Sequence, residues 1–445
     1  MSRPSKSLAI VCLTLALTTG GCATHHPTTA PGRLTPGTAA ETGMSAERLN
    51  RIAQTFKKEV DEGRLPGAVI AVARRGKLVY HEAVGFQDRA TGVPMSKDSI
   101  FRIYSMTKPL ASTAAMMLVE DGTIQLTDPV AKFLPAFQTA RVATARTESD
   151  GKISYELTAA SRPMTVHDLL RHTAGIGYGE VTPNPMVKEA LQKAGLFKPN
   201  VIDFDTRDLS AAEFTSRVAQ VPLVAQPGTM WQYSLATDVL GRVVEAASGK
   251  RLSEFLEERM FRPLKMVDSG FYVQANKMAR LAQPFARPAS GPFVSPQIDV
   301  SRPPGNDSGG AGGVGTALDY LRFAQAMLAG GVLDGERILA RPTVELMMSD
   351  HLGDRPSVPA NPSQLLLGTP QGYGFGLGFM VRTTNGMAGV PGNAGEAMWA
   401  GYGGTYFWID PKEQLVAVFM SQGPAATRAY YRKTVKQLVY YSIVD

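Results

Sequence analysis

Residues 105–122 read Ser105-Met106-Thr107-Lys108 and then PLASTAAMMLVEDG, placing a hydroxyl and an amine three positions apart where a charge-free run begins. Within residues 109–119 only Ser112 and Thr113 are polar, and Glu120-Asp121-Gly122 closes the run. The pattern predicts a helix buried on nearly all sides and stopped by a glycine. Positions i and i+3 share a helix face, so the Lys108 amine and the Ser105 hydroxyl are expected side by side. Lys108 is the one charge at the entrance to an apolar rod, and desolvation there favours the neutral, proton-accepting amine. The helix N-terminus adds a positive end and N–H groups that suit an oxyanion forming at the serine. The same spacing recurs at Ser149-Asp150-Gly151-Lys152, in a polar, glycine-containing stretch that predicts a solvated loop. Surroundings, not spacing, separate the two copies.

The chain has 445 residues, 44% hydrophobic and 19% charged, which fits a globular protein large enough for two lobes and excludes a disordered or fibrous one. Residues 1–22 stand apart. Arg3 and Lys6 precede an apolar run over 8–17, and Thr19-Gly20-Gly21-Cys22 follows. A basic start, a short apolar core and small residues predict a secretory signal, because a membrane span needs about 20 apolar residues. The stretch resembles a bacterial lipoprotein signal, with Cys22 as the lipidated residue, although Thr19 stands where leucine is usual. The expected locations are therefore the periplasm or the outer membrane of a bacterium, with a lipid anchor as the only membrane contact. Residues 23–42, rich in Pro, Thr, Ala and Gly, predict a flexible tether. Cys12 and Cys22 are the only cysteines, so residues 43–445 hold no disulfide. The net charge of +7 is dispersed, with no dense basic block among aromatics, and nucleic acid is not an expected partner.

Within residues 43–445 a first helix is predicted from Ser45, with Leu49, Ile52, Phe56 and Val60 on one face and Gly63 past its end. Strand patterns follow over 68–73 and 77–84, joined by Arg74-Arg75-Gly76, and others occupy 374–381, 405–409 and 415–420. Asp410-Pro411-Lys412-Glu413 is the turn between the last two, and a helix over 425–441 closes the chain. Between them the periodic segments are helical, at 165–171, 237–247, 252–260 and 317–328. The expected fold class is mixed α/β (α+β). One antiparallel sheet is built from the two ends (about 43–105 and 310–445), with a mostly helical lobe inserted (about 106–309) and a site in the cleft between them. The Pro- and Gly-rich loop over 283–315 is expected to border that site.

Further motifs carry a resemblance. Tyr233-Ser234-Leu235 follows Gln226-Pro227-Gly228 and Trp231-Gln232, and Trp399-Ala400-Gly401 precedes Thr405-Tyr406-Phe407-Trp408. Supporting stretches are Leu126-Thr127-Asp128-Pro129, the run Thr165-Val166-His167-Asp168-Leu169-Leu170-Arg171-His172-Thr173-Ala174-Gly175, and Gly309-Gly310-Ala311-Gly312-Gly313. Together with Ser105-Met106-Thr107-Lys108 they resemble the serine hydrolases of the β-lactamase and penicillin-binding-protein superfamily. The likeness is to the class C-like branch and, within it, the family VIII carboxylesterases, over residues 43–445.

The resemblance implies a β-lactamase-like fold and an acyl-enzyme on Ser105, with Lys108 and Tyr233 sharing the proton work. It does not decide which of the two is the base. It also implies an oxyanion hole made by the backbone N–H groups of Ser105 and Tyr402, and substrate contacts at Trp399, Gly401 and Leu235. Trp399 stands where a lysine would hold the carboxylate of a β-lactam or D-alanyl terminus, and Leu235 where an asparagine would bond its amide. Apolar contact in place of polar recognition points to neutral acyl esters, that is, to a serine carboxylesterase (EC 3.1.1 type) with at most weak β-lactam hydrolysis. Rival expectations are a class C-like β-lactamase or D,D-peptidase, and an inactive envelope-binding protein. No Gly-x-Ser-x-Gly occurs, which leaves the lipase nucleophile elbow without a candidate. His167 and His172 are expected to make structural hydrogen bonds, and the six histidines show no metal-ligand spacing, so neither metal nor cofactor is expected.

Overall fold

The structure, a computed structural model, describes residues 32–198, 206–285, 297–353, 362–369, 371–423 and 425–445. The signal over 1–22, with Cys22, lies outside the described residues.

Two apolar strands from opposite ends of the sequence form the centre of the molecule. Gly67–Arg74 is buried along its whole length and pairs antiparallel with Leu415–Ser421, Ile70 facing Phe419. Around this pair the sheet runs in the order Thr35–Pro36, Lys77–Asp88, Gly67–Arg74, Leu415–Ser421, Tyr406–Asp410, Ala397–Ala400, Met380–Arg382, Tyr373–Phe375, with Val93–Pro94 beside Lys77–Asp88. A strand buried on both sides reads as an unbroken apolar run. Helices supply both covers. On one face Phe56 of Ala46–Asp61 lies 4.9 Å from the Phe419 ring and 5.9 Å from Tyr431 of the closing helix Arg428–Tyr440. On the other, Tyr320 of Ala317–Leu328 lies 4.7 Å from the Phe407 ring.

The first helix starts as predicted, Ser45 Oγ accepting the Arg48 N–H at 3.3 Å, and buries Leu49, Ile52, Phe56 and Val60. Two readings around the sheet are corrected. Residues 374–381 form two short strands, Tyr373–Phe375 and Met380–Arg382, because Gly376-Leu377-Gly378 turns the chain back on itself. The stretch 23–42 is not a tether along its described part. Thr35–Pro36 pairs parallel with Lys77 and Leu78, and Ala40–Thr42 forms a turn that buries Thr42 completely.

The chain leaves the sheet through Phe101–Arg102 and returns through Val314–Gly315, and these two pieces pair antiparallel. Between them lies the mostly helical part, in which Thr107–Glu120 packs on Ala236–Ser248. The segment predicted as one helix over 252–260 is Leu252–Leu256 followed by a π-helical turn, Glu257–Phe261. A hairpin, Arg141–Thr147 with Ile153–Ala159, also belongs to this part, and the second Ser-x-x-Lys copy is its exposed turn.

Candidate active site

Thr107–Glu120 has the predicted character, with every residue from Thr107 to Leu118 buried. Gly122, at φ +73°, lets the chain turn off the helix end while Thr123 N–H closes onto Leu118 O. Ser105 sits just before it in the 3-10 turn Tyr104–Met106. That turn is held on several sides. Thr107 Oγ donates to Tyr104 O (2.6 Å) and accepts from Gly313 N–H (2.9 Å), while Tyr320 OH donates to Met106 O (2.8 Å). Tyr104 is fully buried at φ +45°, a left-handed conformation that costs a tyrosine about 1–3 kcal/mol unless its surroundings impose it. Its hydroxyl donates to Gln297 Oε1 at 2.6 Å. The clamp and the strain together fix the direction in which Ser105 points.

Ser105 Oγ and Tyr233 OH are hydrogen-bonded at 2.6 Å. Lys108 takes a different partner from the one its spacing implies, since its Nζ donates to Gly310 O (2.7 Å) and lies 4.6 Å from the centre of the Tyr233 ring. Tyr233 therefore touches both residues, Ser105 through its hydroxyl and Lys108 through its ring. The glycine-rich stretch gives Lys108 its acceptor, and Gly310 is a glycine for a steric reason: a Cβ there would stand 2.1 Å from Asp238 Oδ2. Asp238 accepts from Ser308 Oγ and from Gly310 N–H, which holds the loop against Ala236–Ser248.

Tyr233 rests on an aromatic bed. Tyr178 stacks on it at 5.7 Å and 11°, with His172 at 5.2 Å and Trp399 at 5.6 Å. His172 adopts φ +57°, and its Nδ1 hydrogen-bonds Ser234 Oγ at 3.1 Å. Burial, and after it the charge of Lys108, holds its imidazole well below the usual value, so the ring stays neutral beneath Tyr233. His167 makes a structural bond too, Nε2 to His351 Nδ1 at 2.9 Å.

Trp399 and Leu235, expected to contact substrate, are both buried. Trp399 is 1% exposed, 5.4 Å from Phe375, and supports Tyr233 from the sheet, while Leu235 is 3% exposed in the turn before Ala236–Ser248. Both side chains belong to the core because the third motif is an inner strand and the second leads directly into a packed helix. Gly401 is buried against the nucleophile turn, a Cβ there standing 2.3 Å from Ile103 O and 2.2 Å from Thr405 Oγ1. That closeness brings Tyr402 to Tyr104, their rings 5.8 Å apart. Of Ser105, Lys108, Tyr233, Leu235, Trp399, Gly401 and Tyr402, the first, third and last keep partial exposure.

Sequence reasoning passed over Tyr178, Arg428 and Arg432. The Arg428 guanidinium lies 3.8 Å from the Tyr402 ring centre, and Arg432 donates to Gly401 O at 2.9 Å. The one signal for the arginines was their i, i+4 spacing on the closing helix, with no motif to attach it to. A surface cavity of about 470 Å³ lined by Phe133, Ala211, Thr215 and Arg242 lies apart from Ser105, Lys108 and Tyr233.

The chain is similar to known proteins over most of its length. The beta-lactamase family model matches residues 52–440. The uncharacterized protein MT1414 of Mycobacterium tuberculosis is 34% identical over 379 residues, 83% of this chain and 88% of its own length. Esterase EstB of Burkholderia gladioli is 32% identical over 388 residues, 82% of this chain and 88% of its own. Among solved structures, EstCE1, a hydrolase with promiscuous acyltransferase activity, superposes with a TM-score of 0.71 at 27% identity, covering 89% of this chain and 98% of its own. A family match over most of the sequence, a mixed sheet built from both chain ends, and a serine and lysine of one segment brought against a tyrosine of another place the chain in the beta-lactamase family, among the serine hydrolases related to penicillin-binding proteins.

Proposed function

We propose that the protein is a carboxylesterase that cleaves small or medium acyl esters through an acyl-enzyme on Ser105. The observation that carries this reading is the 2.6 Å bond between Ser105 Oγ and Tyr233 OH, with the Lys108 amine over the same ring. In acylation Ser105 Oγ bonds to the ester carbonyl carbon while its proton passes to Tyr233 and Lys108. The carbonyl oxygen becomes an oxyanion facing the N–H groups of Ser105 and Tyr402. Collapse breaks the C–O bond, and the pair returns the proton to the departing alcohol. Deacylation repeats the sequence with water as nucleophile and frees the carboxylic acid. No metal or other cofactor enters these steps.

Preference for neutral esters is supported by the absence of a lysine at position 399 and by the likeness to the esterase EstB. The promiscuous acyltransferase activity of EstCE1 favours one variation, in which an alcohol replaces water and the acyl group is transferred. We place the protein in the envelope, exported and lipid-anchored at Cys22, with a small-molecule ester rather than nucleic acid as its partner.

The deciding experiment compares turnover of graded nitrophenyl esters and of a cephalosporin by the wild type and Ser105→Ala. Ester turnover that vanishes in the variant and exceeds cephalosporin turnover in the wild type is expected. Faster cephalosporin turnover moves the assignment to a β-lactamase, and ester turnover that survives Ser105→Ala removes Ser105 as the nucleophile.

A further inference from the structure

Arg432 is a buried guanidinium. It is 5% exposed, and among the described residues no carboxylate lies within ion-pair distance. Its two described hydrogen bonds go to backbone carbonyls, Nη1 to Leu366 O at 3.0 Å and Nη2 to Gly401 O at 2.9 Å. Burial, and then the neighbouring Arg428, lowers its proton affinity to about 9, which still leaves it cationic at neutral pH. Taking a cation out of water without a counter-charge is costly, so a position that keeps one needs a use for it.

Gly401 O belongs to the same amide as Tyr402 N–H. A charged donor on the carbonyl end of an amide draws electron density toward oxygen and makes the N–H at the other end a stronger donor. It also fixes the peptide plane, and so the direction in which that N–H points. Arg428, one helical turn earlier, lies against the ring of the same Tyr402. The closing helix therefore grips residues 401 and 402 through both backbone and side chain.

We infer that Arg432 is a positioning residue for the oxyanion hole, polarising and orienting the Gly401–Tyr402 peptide so that Tyr402 N–H binds the transition-state oxyanion more tightly than the substrate carbonyl. The inference rests on the esterase reading above. It differs from a stability role in what it changes: acylation rate and transition-state affinity move together, while substrate binding does not.

The test uses Arg432→Met, which removes the charge at similar length, and Arg432→Lys, which keeps the charge but not the paired donors. Acylation by a nitrophenyl ester is followed in the burst phase. Affinity is measured for a trifluoromethyl ketone, whose serine adduct carries an oxyanion. Losing a whole oxyanion-hole donor costs about 10²–10³ in rate, so weakening one should cost Arg432→Met roughly tenfold or more. The ketone should bind weaker by the same factor, KM should stay within about twofold, and Arg432→Lys should fall between Met and wild type. If Arg432→Met does not fold, Arg432→Lys decides alone: acylation and ketone affinity at wild-type level overturn the inference, as does a loss confined to KM or to thermal stability. Mass spectrometry after a fluorophosphonate probe separates the two layers. Wild-type label absent from Ser105 overturns the esterase reading, whereas label on Ser105 with unaffected Arg432 variants overturns the role of Arg432 alone.

Discussion

Replacing Tyr233 with phenylalanine removes one oxygen from the protein, the hydroxyl 2.6 Å from Ser105 Oγ. The ring keeps its places against Tyr178, His172 and Trp399, and Lys108 keeps its bond to Gly310. The folded state therefore loses one hydrogen bond at a half-buried site, worth about 1 kcal/mol or less. The reaction loses far more. If Tyr233 relays the Ser105 proton, its removal should slow acylation by about 10²–10⁴, the usual contribution of a positioned acid or base. In barrier terms that is about 3–5 kcal/mol. Stopped-flow release of nitrophenolate gives the acylation rate from its burst and deacylation from the slow phase, and both should fall, because one proton pair serves both halves. A urea titration of the same sample should show an unfolding free energy within about 1 kcal/mol of the wild type. Acylation within threefold of the wild type in folded Tyr233→Phe would refute the reasoning and send the proton directly from Ser105 to Lys108.

Other perturbations probe the scaffold. Asp168 is 1% exposed; burial by itself raises its carboxyl, yet bonds from Arg162 and Thr165 outweigh this and hold it at about 2 against an ordinary 3.8. Between those values the unfolded chain binds the extra proton, so a contribution of roughly 2 kcal/mol is complete above about pH 4 and is lost as the pH falls towards 2. Asp168→Asn should cost about 3–5 kcal/mol at pH 7, and urea midpoints of wild type and variant should converge in acid; a gap unchanged down to pH 2.5 would contradict the assignment. Gly310→Ala drives a methyl against Asp238, and overpacking of this kind costs about 1–3 kcal/mol. Because the same loop carries the acceptor for Lys108, ester turnover should drop with stability, and a stable, fully active variant would show that the loop tolerates displacement. Ser149→Ala, in an exposed hairpin turn, should leave turnover unchanged and unfolding within about 0.5 kcal/mol of the wild type; a measurable loss of esterase rate would reopen the second Ser-x-x-Lys copy.

Much of the sheet was legible because buried strands carry their own signal. The runs at 68–73 and 415–420 are apolar at every position, and they turned out to be the adjacent strands Gly67–Arg74 and Leu415–Ser421. The hairpin over 141–159 was not legible, since its side chains are mostly exposed and no clean alternation marks its strands, although Asp150-Gly151 is a turn signal. At the site, local spacing brought Ser105 and Lys108 to one helix but could not assign their bonds. Those depend on Tyr233 and Gly310, which reach the site from distant segments. The burial of Trp399 was not legible for a related reason: a motif fixes the strand, while the packing of Phe375 and Tyr233 decides which way an indole faces.

The pairing of Gly67–Arg74 with Leu415–Ser421 also sets a clock on the ribosome. A strand apolar on both faces leaves the exit tunnel early, and its partner follows only when residue 415 has been added. At about 5–20 residues per second that interval is on the order of tens of seconds. During it the edge of Gly67–Arg74 is open to wrong partners, and holding it apart falls to a chaperone or to the slowness of collapse. The strand that carries Gly401's neighbours, Ala397–Ala400, is equally late, so a nascent chain can hold Ser105 and Lys108 for most of its synthesis without being able to use them. Esterase activity in a translation reaction would therefore be a readout of sheet closure.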